Sequence, residues 1–186
     1  MARFTVHTSE SAPEAAIALL ENSKKLYGGM IPNLHGVMAE SPALLEAYQQ
    51  LNALVKKMSL DTVECNIVWL AINNLNGCTY CMAAHTAVAM HAGVSEADIA
   101  ALRNNTPLAD EKHQALRAFT ELMVEDRGWA GETALDNLAR AGYGNQAVLD
   151  VILCIGMKTL SNFTNHVAHT PVDKPFEKFA WERPES

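Results

Sequence analysis

The sequence has no basic cluster and no long apolar stretch near its start. Fourteen lysines and arginines face 21 acidic residues, for a formal net charge of -7, and the C-terminal Lys174 and Lys178 alternate with Asp173 and Glu177. A nucleic-acid backbone requires clustered positive charge, whereas a signal peptide or a bilayer span requires a long apolar segment. We therefore expect neither a nucleic acid nor a membrane as a partner, and we expect no apolar run long enough to cross a bilayer.

Cysteine is also scarce. Four cysteines in 186 residues are too few for a disulfide framework, which predicts a reducing compartment, the cytoplasm. Cys65 and Cys154 lie singly within apolar helical patterns, which predicts packing roles for both. Cys78 and Cys81 are separated by only two residues and need a different explanation.

Runs of strand type are nearly absent, whereas apolar residues recur at intervals of three and four. This pattern predicts an all-α helical bundle, and the chain length predicts a single domain over residues 1–186. The apolar segment after Asp61 predicts a central buried helix. The aromatic tail from Thr170 is expected to dock on its own subunit or on a neighbour. From capping and breaking signals, the predicted helices cover about residues 14–27, 42–58, 61–75, 78–92, 95–104, 110–126, 132–140 and 145–162, with a short helical stretch after about residue 33.

The segment from Asn76 to His85 carries the candidate chemistry. On a helix, Cys78, Cys81 and His85 fall within roughly 60° of one another and share one face. Asn76 and Gly77 are residues that end a helix, which places Cys78 at the start of the next one. A helix start and a nearby imidazole each lower the pKa of a thiol. The first effect favours Cys78 and the second favours Cys81, so the sequence leaves open which thiol is activated.

The residues alone allow three interpretations of the cysteine pair. A redox-active dithiol that opens and closes a disulfide fits the spacing at a helix start. A structural zinc site would need His85 and a further ligand such as His166 or His169, because the chain has no second cysteine pair. Two packing thiols are the third interpretation. We favour the redox dithiol, which needs no cofactor and no metal.

The motif Cys-x-Tyr-Cys-x-x-x-His, preceded by Asn-Gly and followed by Ala-Gly-Val-Ser, resembles the alkylhydroperoxidase D-like branch of the carboxymuconolactone decarboxylase family. Two other regions are similar to that branch. They are Gly29-Met30-Ile31-Pro32-Asn33-Leu34 with Ser41-Pro42, and Thr164-Asn165-His166 with Thr170-Pro171. The resemblance covers most of the chain and is most specific at the cysteines.

The resemblance implies an all-helical homo-oligomer, a trimer or a hexamer, that acts as a thiol-dependent peroxidase. Cys81 would be the nucleophile that becomes a sulfenic acid, Cys78 would donate a proton and then form the disulfide, and His85 would serve in the proton relay. The implied partners are a hydroperoxide substrate and a dithiol or lipoylated reductant protein.

Two positions depart from the best-characterised members, which carry a glutamate twelve residues before the first cysteine and a histidine between the cysteines. Asn66 and Tyr80 stand there in this chain. Asn66 can hydrogen-bond but carries no charge at neutral pH, and Tyr80 could offer its hydroxyl to a bound peroxide. Two further accessory candidates are Glu64, which could contact His85, and His166, which could close over the dithiol. Structural roles are the alternative. Glu64 would be a surface carboxylate at a helix start, Tyr80 an aromatic packed between subunits, and His166 a histidine at a helix C-terminus.

Two other functions stay open. A zinc-binding or redox-sensing module would use the cysteines without peroxidase turnover. A lyase like the decarboxylases that give the family its name is less favoured, because that chemistry needs no cysteine pair.

Overall fold

A computed structural model describes residues 3–184 of the chain. These residues form nine α-helices and two 3₁₀ segments and contain no strand, which confirms the predicted all-α, single-domain fold. The helices are α1 (Glu14–Leu26), α2 (Asn33–Met38), α3 (Pro42–Leu54), α4 (Thr62–Leu75), α5 (Thr79–His91), α6 (Glu96–Asn104), α7 (Glu111–Glu125), α8 (Glu132–Arg140) and α9 (Asn145–Ala168).

Helix α4 lies at the centre of the fold and contacts α5, α6, α7 and α9. A capping box fixes its start: the Asp61 side chain accepts the Glu64 N–H, and the Glu64 carboxylate accepts the Asp61 N–H. Such a box satisfies two of the N–H groups that a helix start leaves unpaired. Ile67, Val68 and Leu70 are fully buried, so the prediction of a central buried helix is confirmed.

Two helices end elsewhere than predicted. Helix α3 ends at Leu54, and Val55–Lys57 follows as a 3₁₀ turn in place of the predicted last helical turn. Helix α9 continues past its predicted end at Asn162 to Ala168, where His169 takes the left-handed conformation with φ 50°. A left-handed residue is a common helix terminator, but histidine is not a strong signal for it in a sequence.

The length of α9 also corrects an expectation. By length and composition it is apolar enough to cross a bilayer, so the expectation that no run is long enough was wrong. The core helix of a soluble protein passes the same test. Helix α9 packs against α2, α3, α4, α5 and α7, and its polar side chains Lys158 and Ser161 are completely buried. It is a core helix of this fold.

The C-terminal tail docks on the rest of the chain, as predicted. Its 3₁₀ segment, Lys174–Phe179, packs against α5. Trp181 is buried, and its Nε1 donates to the Arg103 carbonyl at 2.8 Å. The Arg103 guanidinium donates in turn to the carbonyls of Phe179 and Ala180. The tail therefore covers one side of α5, the helix that carries Cys81.

Candidate active site

A tight turn between α4 and α5 presents the cysteine pair. Gly77 has φ +64°, a conformation that glycine adopts without a steric penalty. Cys78 N–H donates to the Asn73 carbonyl at 3.0 Å, and Cys78 is the N-cap of α5, with its Sγ accepting the Cys81 N–H at 3.4 Å. The predicted position of the motif at a helix start is confirmed. Both cysteines are buried free thiols.

Cys81 lies among groups that stabilise a negative sulfur. Asn165 Nδ2 donates to Cys81 Sγ at 3.2 Å and lies 3.8 Å from Cys78 Sγ. Burial alone would raise the pKa of Cys81. The hydrogen bond from the Cys78 thiol, the positive charge of Lys158 and hydrogen bonds from two further α9 side chains outweigh it, and the pKa falls to about 5. These surroundings favour the thiolate form of Cys81 at neutral pH.

Cys78 behaves in the opposite way. Its hydrogen bond to Cys81 and its own burial raise its pKa well above the ordinary value for a thiol. A thiolate and a protonated thiol side by side form an asymmetric pair, in which one sulfur attacks and the other holds a proton. Of the two assignments that the sequence left open, this environment favours Cys81 as the activated thiol.

The fully buried Lys158 of α9 is the cation of the site. Its Nζ lies 2.8 Å from Nε2 of His85. An ammonium group only donates, so Nε2 accepts and the ring proton is on Nδ1. Burial and the charge of Lys158 hold the pKa of His85 well below its ordinary value. His85 is thus a neutral imidazole that holds Lys158, and within residues 3–184 its Nδ1 is buried without a hydrogen-bond partner.

Tyr80 faces the tail. Its hydroxyl donates to Asp173 Oδ2 at 2.5 Å and accepts the Leu34 N–H at 3.2 Å. Asp173 Oδ1 accepts the Asn33 N–H at 2.9 Å. These bonds fix the start of α5 to α2 and to the C-terminal tail. The Tyr80 hydroxyl is therefore engaged in the fold, although the residue also lines the cavities described below.

Glu64 is engaged at a distance from the motif along α4. Its carboxylate accepts Lys112 Nζ at 2.8 Å and the Tyr143 hydroxyl at 3.0 Å, besides the Asp61 N–H. Burial would raise the pKa of Glu64, but these donors lower it. Glu64 is 5% exposed, so it is not the surface carboxylate considered from the sequence. It joins α4 to α7 rather than supporting His85.

Asn66 and His166 have different surroundings. Asn66 is buried, and its Nδ2 donates to the Thr62 carbonyl at 2.8 Å. Its Oδ1 has no hydrogen-bond partner in the described part of the chain. His166 is exposed near the end of α9 and stacks on Phe163, with ring centroids 6.4 Å apart. It lies on the same side of the motif as Cys78.

A cavity of about 230 Å³ opens beside Cys81, and we call it the apolar cavity. Cys81 and His85 are both part of its wall, and the Trp69 ring meets the His85 ring edge-on with centroids 5.3 Å apart. His35 adds a buried neutral imidazole, because burial lowers its pKa to about 4. The remaining wall residues are apolar or aromatic for the most part and include Leu34, Tyr48, Tyr80, Val88, Met157 and Phe176.

A second cavity, of about 240 Å³, lies on the other side of the motif, and we call it the histidine cavity. Its wall contains Cys78 but not Cys81. The other wall residues are Thr79, Tyr80, Asn165, His166, His169 and Thr170. The two cysteines therefore border different cavities, one apolar and one polar.

The other two cysteines are packing residues, as predicted. Cys65 and Cys154 are buried, and burial raises the pKa of each to about 12. Residues 3–184 contain no group of three histidine, cysteine, aspartate or glutamate side chains arranged to hold a metal ion. His85 borders the apolar cavity whereas His166 and His169 border the histidine cavity, so the structure does not gather the zinc ligands considered from the sequence.

Three residues of the site were not predicted from the sequence. Lys158, Ser161 and Asn162 are completely buried on α9, and all three lower the pKa of Cys81. Together with Asn165 they follow the spacing of one helix face, at intervals of three and four. A polar face within an otherwise apolar helix is a signal that the sequence does contain.

Fold and site together define an all-helical dithiol protein in which the surroundings of one of two neighbouring cysteines favour the thiolate. Residues 42–121 match the model of the carboxymuconolactone decarboxylase family. This segment contains α4, α5 and both motif cysteines. No curated protein matches the sequence.

Several solved structures share the fold. An alkylhydroperoxidase AhpD core protein, described as an uncharacterized peroxidase-related protein from Ralstonia eutropha JMP134, has a TM-score of 0.82 and 16% identity over 94% of this chain and 93% of its own. A peroxidase-related protein from Silicibacter sp. TM1040 has a TM-score of 0.75 and 17% identity over 94% of each chain. The debrominase Bmp8, in a complex with 2,3,4-tribromopyrrole, has a TM-score of 0.77 and 17% identity over 95% of each chain. The family match over residues 42–121 and the fold shared with these structures support the resemblance to the alkylhydroperoxidase D-like branch of the carboxymuconolactone decarboxylase family.

Proposed function

We propose that this protein is a thiol-dependent peroxidase in which Cys81 reduces a hydroperoxide and Cys78 completes a dithiol–disulfide cycle. The observation that carries the proposal is the environment of Cys81. Its pKa of about 5 makes it a thiolate at neutral pH, beside a protonated thiol and at the wall of a cavity. The thiolate is the nucleophilic form of cysteine, and a neighbouring resolving cysteine is typical of sites that react with peroxides.

The proposed cycle transfers two electrons to the hydroperoxide. The Cys81 thiolate attacks the terminal oxygen, the O–O bond breaks, and Cys81 becomes a sulfenic acid while an alkoxide leaves. The alkoxide takes the proton of the Cys78 thiol. The Cys78 thiolate then attacks the Cys81 sulfur, a disulfide forms, and the released hydroxide becomes water with a proton from solvent. A dithiol or lipoylated reductant protein returns the two electrons.

In this mechanism Lys158 and His85 have roles that differ from the relay implied by the resemblance. Lys158 supplies the positive charge that stabilises the Cys81 thiolate, and His85 holds Lys158 in place through Nε2. The Nδ1–H of His85 is a buried donor without a partner in the described residues. A hydroperoxide oxygen in the apolar cavity would be a suitable acceptor for it.

The apolar cavity supports an organic hydroperoxide as the substrate. An apolar protein cavity of about 150 Å³ is large enough to bind benzene, and this one measures about 230 Å³. Its aromatic and aliphatic walls gain more from burying a hydrocarbon group than from hydrogen peroxide, since burial of apolar surface yields about 25 cal/mol per Å². We therefore expect faster reaction with an aryl hydroperoxide than with hydrogen peroxide.

The test is a single-turnover titration of the reduced protein with cumene hydroperoxide. We expect the wild type to lose two of its four thiols, and Cys78→Ser to stop at a Cys81 sulfenic acid that dimedone labels. Cys81→Ser should lose no thiol, whereas the matched control Cys65→Ser, at a packing cysteine of α4, should behave like the wild type. Consumption of the hydroperoxide by Cys81→Ser at the wild-type rate would refute the proposal.

Reductive dehalogenation is a second candidate. The apolar cavity beside a thiolate also fits a halogenated ring, and a debrominase shares the fold. In that reaction the dithiol gives two electrons to the carbon–bromine bond, so that bromide leaves, a proton replaces it on the ring, and the disulfide forms. Bromide release from a brominated pyrrole or phenol, measured with the same variants, distinguishes this function from the first.

A zinc-binding module, a redox sensor and a lyase would each give a different result. Zinc held by the motif would be stoichiometric and would be lost in Cys78→Ser. A redox sensor would form the disulfide without catalytic turnover in the presence of a dithiol. A lyase of the decarboxylase type would work without either motif cysteine. The homo-oligomer and the cytoplasmic location stay predictions.

A further inference from the structure

We propose that the two sides of the dithiol have separate tasks: the substrate meets Cys81 through the apolar cavity, and a small dithiol reductant attacks Cys78 of the disulfide through the histidine cavity. The inference rests on the proposed dithiol–disulfide cycle. It adds to that cycle the side from which the reductant enters and the sulfur that it attacks.

The first support is the division of the two cavities. The histidine cavity borders Cys78 and the apolar cavity borders Cys81, and neither wall contains the other cysteine. Thiol–disulfide exchange requires the attacking sulfur to approach along the line of the bond that breaks. A thiol that attacks Cys78 and breaks its bond to Cys81 must approach from the side away from Cys81. The histidine cavity borders Cys78 and not Cys81, so it is the cavity from which this attack can come.

The second support is the choice of leaving group. Attack on Cys78 releases Cys81, whose thiolate is stabilised by Lys158 and by the donors of α9. Attack on Cys81 would release Cys78, whose pKa is raised by its neighbour and by burial. Exchange is faster when the departing thiol has the lower pKa. The environment that activates Cys81 toward a peroxide therefore also directs the reductant to Cys78.

The third support comes from unpaired polar atoms at the histidine cavity. Within residues 3–184, Asn165 Oδ1 and Thr170 Oγ1 are buried and have no hydrogen-bond partner. The two side chains are 5% and 8% exposed, and both residues line this cavity. Buried polar atoms without a partner are uncommon in folded proteins. Together with the exposed side chains of His166 and His169, they make the wall of this cavity polar, with little apolar surface for a hydrocarbon.

The exchange balances without a further reactant. One thiolate of the reductant attacks the Cys78 sulfur, a mixed disulfide forms on Cys78, and Cys81 leaves as a thiolate. The second thiol of the reductant then loses its proton to solvent and attacks the reductant sulfur of the mixed disulfide, which closes the oxidised reductant and releases Cys78 as a thiolate. Cys78 takes a proton from solvent. Two electrons have moved from the dithiol to the protein.

The first experiment locates the attacked sulfur directly. The disulfide is formed with diamide, so that the test does not depend on peroxidase activity, and the oxidised protein is exposed briefly to the monothiol 2-mercaptoethanol. Alkylation in acid and fragmentation of the peptide then show which cysteine carries the adduct. We expect the adduct on Cys78 and the alkyl group on Cys81. Adducts mainly on Cys81 would overturn the inference.

The second experiment blocks one cavity at a time and measures the two half-reactions separately. Thr79 is the exposed first residue of α5 and lines the histidine cavity, and Val88 is 43% exposed and lines the apolar cavity. We expect Thr79→Trp to slow the reduction of the disulfide by dithiothreitol at least tenfold and to leave single-turnover oxidation by cumene hydroperoxide within twofold. Val88→Trp should have the reverse pattern.

Thr133→Trp is the matched control, because Thr133 is an exposed residue in the first turn of α8. We expect it to leave both half-reactions unchanged. Equal slowing of both half-reactions in Thr79→Trp, or reduction at the wild-type rate, would overturn the separate entrance. A wild-type protein that forms the disulfide with diamide but not with a hydroperoxide would refute the proposed peroxidase while leaving this test valid.

Discussion

Replacement of Lys158 by methionine tests the origin of the Cys81 thiolate. Lys158 is fully buried against His85, and methionine has a similar length, so Lys158→Met removes the charge without leaving a large void. A nearby opposite charge typically shifts a pKa by about 1–3 units. Taking about 2 units, we expect the pKa of Cys81 to rise from about 5 to about 7.

The sign of the effect follows from the thiolate fraction. At about pH 6 the thiolate fraction of Cys81 should be about nine tenths in the wild type and about one tenth in Lys158→Met. The rate of single-turnover oxidation should therefore be about tenfold lower in the variant. At about pH 8.5 both proteins are almost entirely thiolate and the rates should agree within about twofold. The measurement is the stopped-flow rate of thiol loss with cumene hydroperoxide as a function of pH.

The control for this experiment is Lys112→Met. Lys112 forms an ion pair with Glu64 at 2.8 Å, on the α7 side of α4, and its loss should leave the pH profile unchanged. Circular dichroism checks that both variants are folded. A folded Lys158→Met protein with the wild-type pH profile would show that the charge of Lys158 does not stabilise the thiolate.

Three further predictions concern stability and assembly. Burial lowers the pKa of His35 to about 4, against about 6.5 in an unfolded chain. Between these two pH values only the unfolded chain takes up the proton, so the free energy of unfolding should fall on acidification. From about pH 7 to about pH 5 the wild type should lose about 2 kcal/mol more than His35→Gln. Urea unfolding at both pH values measures it, and an equal loss in the two proteins would contradict it. Tyr80→Phe removes the 2.5 Å bond to the buried Asp173 and should lower the unfolding free energy by about 2 kcal/mol, whereas unchanged urea unfolding would show that this bond contributes nothing. Phe163→Glu places a charge on the exposed apolar side of α9, where Leu149 is 64% exposed, and should dissociate the predicted trimer or hexamer; sedimentation of the wild type as a monomer would remove the prediction.

The helices and the position of the cysteine motif could be predicted because their signals are local. The Asp61–Glu64 capping box and the residue pair before Cys78 act within one or two turns of the chain. The end of α9 could not, because His169 is not a residue type that marks a left-handed terminus.

The electrostatics of the site could not be predicted because they depend on residues distant in sequence. Lys158 and His85 are 73 positions apart and meet only because α5 and α9 pack against one another. The same is true of Asn165 and Cys81, which are 84 positions apart. The sequence offers His85 as one candidate to take the proton of Cys81. In the fold, its Nε2 accepts from Lys158 instead, and the charge on Lys158 acts on the thiol.

The Asp173 carboxylate connects three parts of the chain with one side chain. Oδ1 accepts the Asn33 N–H at the start of α2, and Oδ2 accepts the Tyr80 hydroxyl within the cysteine motif. Because α2 contributes Leu34 and His35 to the apolar cavity, the last residues of the chain help to set the distance between that wall and Cys81. A deletion that removes Asp173 would therefore break both hydrogen bonds and free the α2 wall of the apolar cavity to move relative to Cys81.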